Sequence, residues 1–223
     1  MIEVVELKKS FGNVEVLKGI NLSLEKGNVY GLVGENGSGK TTLFRCLAGL
    51  DSYEGRIKLK DPELNVGFLP SNPYVLPRLT GREYLQYLAN SRSKGQLDYG
   101  LLNVFDLPLD RYMSAYSTGM KKKLAFLGVV LQDNDLIILD EPFSGVDIQS
   151  NFILSETIMR LRANGKCIIL SSHIFTTLAD QSDMIYHLSE GRLSEGFSKD
   201  DYDQLDQAIK EKFVGDIFER LGL

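Results

Sequence analysis

Gly34-Glu35-Asn36-Gly37-Ser38-Gly39-Lys40-Thr41 is a complete G-x-x-x-x-G-K-[ST] phosphate loop. It follows the apolar stretch Val29-Tyr30-Gly31-Leu32-Val33, which reads as a strand, and it precedes the helical-looking Thr42-Leu43-Phe44-Arg45-Cys46-Leu47-Ala48. Glycines let the backbone curl so that successive N–H groups converge on polyphosphate oxygens, and the helix presents its positive dipole end to the same anion. Lys40 is expected to reach the β- and γ-phosphates, and the Thr41 hydroxyl to ligate Mg²⁺. The chain is therefore expected to bind a nucleoside triphosphate.

A phosphate loop needs a second acidic element. Leu136-Ile137-Ile138-Leu139 is a continuous apolar run, typical of a strand buried on both faces of a parallel sheet, and it ends in Asp140-Glu141-Pro142. Asp140 is placed to hold Mg²⁺ directly or through water. Glu141, next in the chain, is expected on the opposite side of the strand end, free to act as general base on the attacking water.

Outward from these motifs the chain reads as an α/β core interrupted by a helical block. Short strands with tight turns come first, at Ile2 to Leu7, Ile20 to Leu24 and Val29 to Val33. Alternating strands follow at 55–60 and 65–69, and then a loop punctuated by Pro70, Pro73 and Pro77. Helical periodicity starts at Thr80, where Glu83 three residues on completes a capping box, and continues in stretches of about 96–105 and 119–132. A helix over about 148–163, the strand Cys167 to Leu170, another helix and the strand Met184 to Leu188 complete the body. The division predicted is about 1–70 and 118–197 for the core with its β part, about 71–117 for the helical part, and about 198–223 for a tail. That tail carries apolar residues at helical spacing (Tyr202, Leu205, Ile209, Phe213, Ile217) and is expected to fold back on the body.

The net charge of −5 over 223 residues argues against a general nucleic-acid binder, since no strong basic field exists to attract a polyanion. The two cysteines, Cys46 and Cys167, make neither a disulfide framework nor a zinc site and read as buried small hydrophobes. Met1 to Lys8 alternates apolar and charged residues, as a strand does and a signal peptide does not. The longest apolar run, Leu124 to Leu131, is far short of the ~20 residues needed to cross a bilayer. A cytoplasmic protein is expected. Lys121, Lys122 and Lys123 read as a solvated helix face.

Over nearly its whole length, from Phe11 to about Gly191, the chain resembles the ATP-binding subunits of ABC transporters. That resemblance implies a P-loop NTPase core with an N-terminal antiparallel β subdomain and an inserted α-helical subdomain. It also implies a nucleotide-contacting set of Phe11, Gly34, Asn36, Gly37, Ser38, Gly39, Lys40, Thr41 and Thr42, with Phe11, in Lys9-Ser10-Phe11-Gly12, stacking on adenine. Mg²⁺ would be held by Thr41 and Asp140. Tyr116-Ser117-Thr118-Gly119-Met120 is similar to the family's signature loop, usually Leu-Ser-Gly-Gly-Gln, with Ser117 and Gly119 retained and Thr118 and Met120 departing from it. In the family this loop serves the ATP held by the opposite subunit. Ser144-Gly145-Val146-Asp147 resembles the D-loop, where Asp147 would link two sites across a dimer. His173, closing Ser171-Ser172-His173, matches the switch histidine, which would contact the γ-phosphate or orient Glu141 and water.

Ser71 is a further departure, because the family carries glutamine there, a long amide that approaches Mg²⁺ and water. Serine is too short to reach without an intervening water, so slower hydrolysis with intact nucleotide binding is expected, with Asn72 as a possible substitute. The resemblance implies an ATPase that pairs head to tail with a second copy around two ATP and powers a separate membrane permease, in the manner of an exporter. Such a subunit would sit on the inner face of the cell membrane through that partner. The alternative is an ATP-gated clamp on a partner protein, without transport.

Overall fold

The computed structural model describes residues 1–92 and 95–207. The first half of the chain runs β1 (Ile2–Phe11), β2 (Val14–Leu24), β3 (Val29–Val33), α1 (Lys40–Leu47), β4 (Glu54–Leu59), β5 (Val66–Leu69), α2 (Gly81–Asn90) and α3 (Tyr99–Leu102). The second half runs α4 (Thr118–Leu131), β6 (Leu136–Leu139), α5 (Ile148–Ala163), β7 (Cys167–Ser172), α6 (Phe175–Gln181), β8 (Met184–Ser189), β9 (Arg192–Leu193) and β10 (Phe197–Ser198).

Strands β2, β1 and β4 form an antiparallel sheet in that order, and the remaining strands form a second sheet, β10-β8-β3-β7-β6-β5, with β9 paired on β8. From β8 through β5 every neighbour in the second sheet is parallel. The side-chain period of two divides its core. Leu136 and Ile138 of β6, with Cys167 and Ile169 of β7, face Leu43, Phe44 and Leu47 of α1 and the antiparallel sheet. Ile137 and Leu139, with Ile168 and Leu170, face Leu124 and Phe126 of α4 and Leu154 and Ile158 of α5. Both faces are covered, which is why β3, β6 and β7 are buried at every position. The fold is a P-loop NTPase core with an N-terminal antiparallel β subdomain and inserted helices, as the resemblance implied. Cys46 and Cys167 are buried on one face of the sheet, unpaired, as expected. A backbone bond from Lys18 N–H to Gly191 O (2.8 Å) stitches β2 to the turn after β8.

The helical part departs from its periodicity at one place. Helix α2 begins where the capping box put it, with Glu83 N–H donating to Thr80 Oγ1 at 3.2 Å and Thr80 N–H to Glu83 Oε2 at 2.8 Å. The helix expected over about 96–105 is only the single turn α3. Asn103 stops it: its side chain donates to Leu107 O and accepts from Leu107 N–H, both at 2.9 Å, folding the chain into a side-chain-closed loop. The β1 and β2 strands are longer than expected, meeting in a hairpin at Gly12, whose φ of 58° suits glycine.

Beyond β10, Tyr202 and Leu205 pack into the core, and the Tyr202 hydroxyl donates to Ser182 O at 3.1 Å. The expected tail residues Ile209, Phe213 and Ile217 lie outside the described residues. Among the described residues no helix is long and apolar enough to cross a membrane.

Candidate active site

The strand register assembles the site. Leu69, Leu139 and Leu170 are neighbours across β5, β6 and β7, so Pro70, Asp140 and Ser171, which follow them, come side by side at the sheet's edge, with β7 running one residue further. Val33 pairs with Ser172, which puts the phosphate loop next to His173. The C-terminal edge of a parallel sheet is where such folds collect their ligand groups.

Gly34 is obligatory for a packing reason, since a Cβ there would stand 2.3 Å from Leu188 O. Gly39 caps α1 with φ 111°, outside the range of an L side chain. Lys40 is buried at 7% exposure, and its Nζ donates to Gly34 O (2.6 Å) and Glu35 O (2.9 Å), bracing the loop from inside. Burial pushes the Lys40 ammonium below its ordinary range, while Glu141 and Asp140 pull it back up.

A continuous hydrogen-bond chain crosses the site. Thr41 Oγ1 donates to Asp140 Oδ2 at 2.6 Å, and Ser171 Oγ donates to Asp140 Oδ1 at 2.7 Å. The same Ser171 Oγ accepts from Glu141 N–H at 2.9 Å, and Glu141 Oε2 lies 2.9 Å from His173 Nδ1. The sequence marks Ser171 only as part of a strand end; the register brings it to Asp140, one residue past the β7 partner of Leu139. Glu141 does not reach the site by strand alternation as expected. Its φ is 51°, a left-handed conformation that costs a non-glycine residue about 1 kcal/mol or more, and this turn aims its carboxylate at His173.

One cavity of about 670 Å³ gathers most of the expected residues: Phe11, Lys40, Thr41, Ser71, Asp140, Glu141 and His173, together with Asn36, Gly37, Gly39 and Thr42. Asn72 lines it too, beside Ser71. Gly34 and Ser38 belong to the loop that walls it; Ser38 Oγ is buried with no hydrogen-bond partner and packs beside Gly34. Phe11 stands at the rim, 52% exposed, with Lys9 Nζ 4.9 Å from its ring centroid. An exposed aromatic face at the rim and converging loop donors fit a nucleotide laid with its base outward and its phosphates inward.

Mg²⁺ fits by donor chemistry. Thr41 and Asp140 offer hard oxygens in contact with each other. Among the described residues no three His, Cys, Asp or Glu side chains cluster to hold an ion on their own. That suits an ion completing its shell with phosphate oxygens and water.

Ser117, Gly119 and Asp147 are not brought into this cavity; their neighbours Thr118 and Gly145 reach its rim. Ser117 is exposed and caps α4, accepting from Met120 N–H at 3.2 Å. Asp147 caps α5 by accepting from Ser150 N–H at 2.9 Å and pairs with Lys123 Nζ at 3.0 Å. Those bonds hold its carboxyl well below the usual range. The expectation of a solvated lysine face fails at Lys122, which is 3% exposed and donates to Glu141 O and Ser144 O. On α4 it lies on the face of the buried Ala125 and Phe126, three and four residues on, while Lys121 and Lys123 are half-buried.

A family model described as "ABC transporter" matches residues 17–144, more than half of the chain, from within β2 through the Glu141 turn. The chain belongs to the ABC transporter ATP-binding family. YhaQ of Bacillus subtilis (strain 168), an ABC transporter ATP-binding protein, is similar to this ABC chain at 31% identity over 86% of its length and 69% of the relative's. The bacitracin transport ATP-binding protein BcrA of Enterococcus faecalis is similar at 34% identity, over 87% of this chain and 68% of that protein. A solved dimeric ATP-binding cassette in a post-hydrolysis state with ADP and Pi shares the fold, with a TM-score of 0.80 at 18% identity, covering 89% of this chain and 99% of that one. This ABC domain is therefore a nucleotide-binding ATPase of that family.

Proposed function

We propose that the chain binds ATP with Mg²⁺ in the cavity between the phosphate loop and Glu141, hydrolyses it, and pairs head to tail with a second copy around two ATP. In this reading Lys40, Ser38 and the loop N–H groups hold the phosphates, Thr41 and Asp140 hold Mg²⁺, and Phe11 supports the base. Glu141 takes a proton from the attacking water, and His173 orients its carboxylate. Mg²⁺ would supply charge neutralisation at the phosphates. The observation that carries the reading is the unbroken bond chain Thr41–Asp140–Ser171–Glu141–His173, which fixes the candidate metal ligands and the candidate base in one rigid frame.

Pairing is supported by the position of Ser117 and Gly119, a capped helix start outside the chain's own cavity and available to another. Each site would combine one copy's phosphate loop with the other copy's Ser117 and Gly119, and Asp147 would stand between them. A separate membrane permease, working in the export direction, would turn closing and opening into transport on the inner face of the membrane. The name of another relative, the SkfA peptide export ATP-binding protein SkfE of Bacillus subtilis (strain 168), 29% identical over 87% of this chain, supports that direction. We read about 71–117 as the part that meets the permease, set into a core of about 1–70 and 118–197, with 198–223 as the tail. The departures at Ser71, Thr118 and Met120 favour a second reading, an ATP-gated clamp on a partner protein.

The test is Glu141→Gln. Turnover should fall by ~10²–10⁴ and an ATP-bound dimer should accumulate on size exclusion. A variant that stays monomeric at saturating ATP, or turns over normally, would refute the assignment. Reconstitution with a membrane protein encoded beside it separates transport from clamping: ATP-dependent flux supports the first, ATP-dependent association alone the second.

A further inference from the structure

Lys122 has no part in the scheme above, yet it borders the same cavity and is among the most buried charged residues described. A buried ammonium costs stability unless paired, and a methionine would fill the same volume without that cost. Its two bonds go to backbone carbonyls of one loop, Glu141 O at 2.9 Å and Ser144 O at 2.7 Å. Glu141 is the non-glycine residue in that loop with a left-handed backbone. Its N–H is held by Ser171 and its C=O by Lys122, so the plane on each side of its Cα has an anchor outside the loop.

The anchor on the carbonyl side sits on α4, five residues after Ser117. The start of α4 is seated on the same loop at two more points. Lys123 Nζ pairs with Asp147, and a Cβ at Gly119 would stand only 2.7 Å from Gly145 O. Helix α4 and the Glu141–Asp147 segment are therefore one mechanical unit, and Lys122 is the member of it that grips Glu141 itself.

We propose that Lys122 is a positioning residue for hydrolysis, fixing the direction of the Glu141 carboxylate and making it depend on the placement of the α4 N-terminus. This rests on the reading of Glu141 as the base. An ATP contacted by Ser117 of one copy would thereby set the angle of that copy's own Glu141, 24 residues on, and tie the chemistry at one site to occupancy of the other.

The experiment is Lys122→Met in the full chain, with ATP affinity, turnover and melting temperature measured together. Expected are a kcat about ten-fold or more lower, an ATP Kd within about three-fold of wild type, and recovery of rate by Lys122→Arg. In a Glu141→Gln background, single-turnover hydrolysis should fall less than about two-fold further on adding Lys122→Met, because the two act on one step. A kcat within two-fold of wild type, or an equal loss in both backgrounds, overturns the proposal. If Lys122→Met does not fold, Lys122→Gln carries the same comparison. A silent Lys122 with a dead Glu141→Gln defeats this inference alone. A fully active Glu141→Gln defeats the reading beneath it.

Discussion

Nδ1 of His173 stands 2.9 Å from Oε2 of Glu141, joining the end of β7 to the turn after β6 by a side-chain bond across the mouth of the cavity. The two side chains differ in exposure, 54% for the histidine and 17% for the glutamate. The histidine can therefore move without dismantling anything beneath it, whereas the glutamate is tied down through its backbone on both sides.

Replacing His173 with alanine should cost what a hydrogen bond to a charged group contributes, about 1.5–3 kcal/mol of transition-state alignment, or roughly 10- to 100-fold in kcat. ATP affinity and melting temperature should hold, since the imidazole is mostly in solvent. Steady-state kinetics beside equilibrium ATP binding checks this, and a loss of affinity equal to the loss of rate would refute it.

Ser71 lines the cavity with Thr41 and Asp140 but carries a short hydroxyl. Ser71→Gln should raise turnover at saturating ATP by about five-fold, the saving from replacing one bridging water by a direct amide contact worth about 1 kcal/mol. No rise would mean that Asn72 or the loop backbone already fills the role.

The thiols should be inert in the folded chain. Burial pushes Cys46 up to about 11 and Cys167 up to about 12, so neither carries appreciable thiolate at pH 8. A thiol reagent should label less than about a tenth of either cysteine in an hour under native conditions and both at once in denaturant. Rapid native labelling of Cys46 would show that α1 opens from the sheet.

Phe126 is 1% exposed on α4 and meets Phe105 edge-on, with ring centroids 6.3 Å apart. Phe126→Ala should destabilise the fold by about 3–5 kcal/mol, measured by chemical denaturation, and should leave any surviving folded protein able to bind ATP.

The motif-bearing parts of this molecule were legible for local reasons. A phosphate loop is a contiguous backbone device, an apolar run ending in Asp140 announces a buried strand, and the Thr80–Glu83 cap is read three residues apart. What escaped were features decided by residues distant in sequence. Lys122 among three lysines looks like its neighbours until the loop after β6 closes on α4. The direction of Glu141 depends on a left-handed turn held by Ser171, 30 residues away. The helix expected near 96–105 failed because Asn103 finds the backbone of Leu107, a competition between side chain and helix that apolar periodicity does not register. Asp147 and Ser117 were recognised by resemblance, but within one chain they act as helix caps.

Strand β5 is four residues long and ends the larger sheet, bonded to β6 and to no strand on its far side among the described residues. Ser71 hangs from it by way of Pro70. The phosphate loop, Asp140 and His173 all emerge from strands flanked on two sides, so this wall of the cavity has a one-sided tether while the others are clamped. The end of β5 is bonded to Asp140 itself, whose N–H donates to Leu69 O at 2.8 Å, so a pull arriving through the helices beyond Ser71 would reach the acidic pair before the phosphate loop.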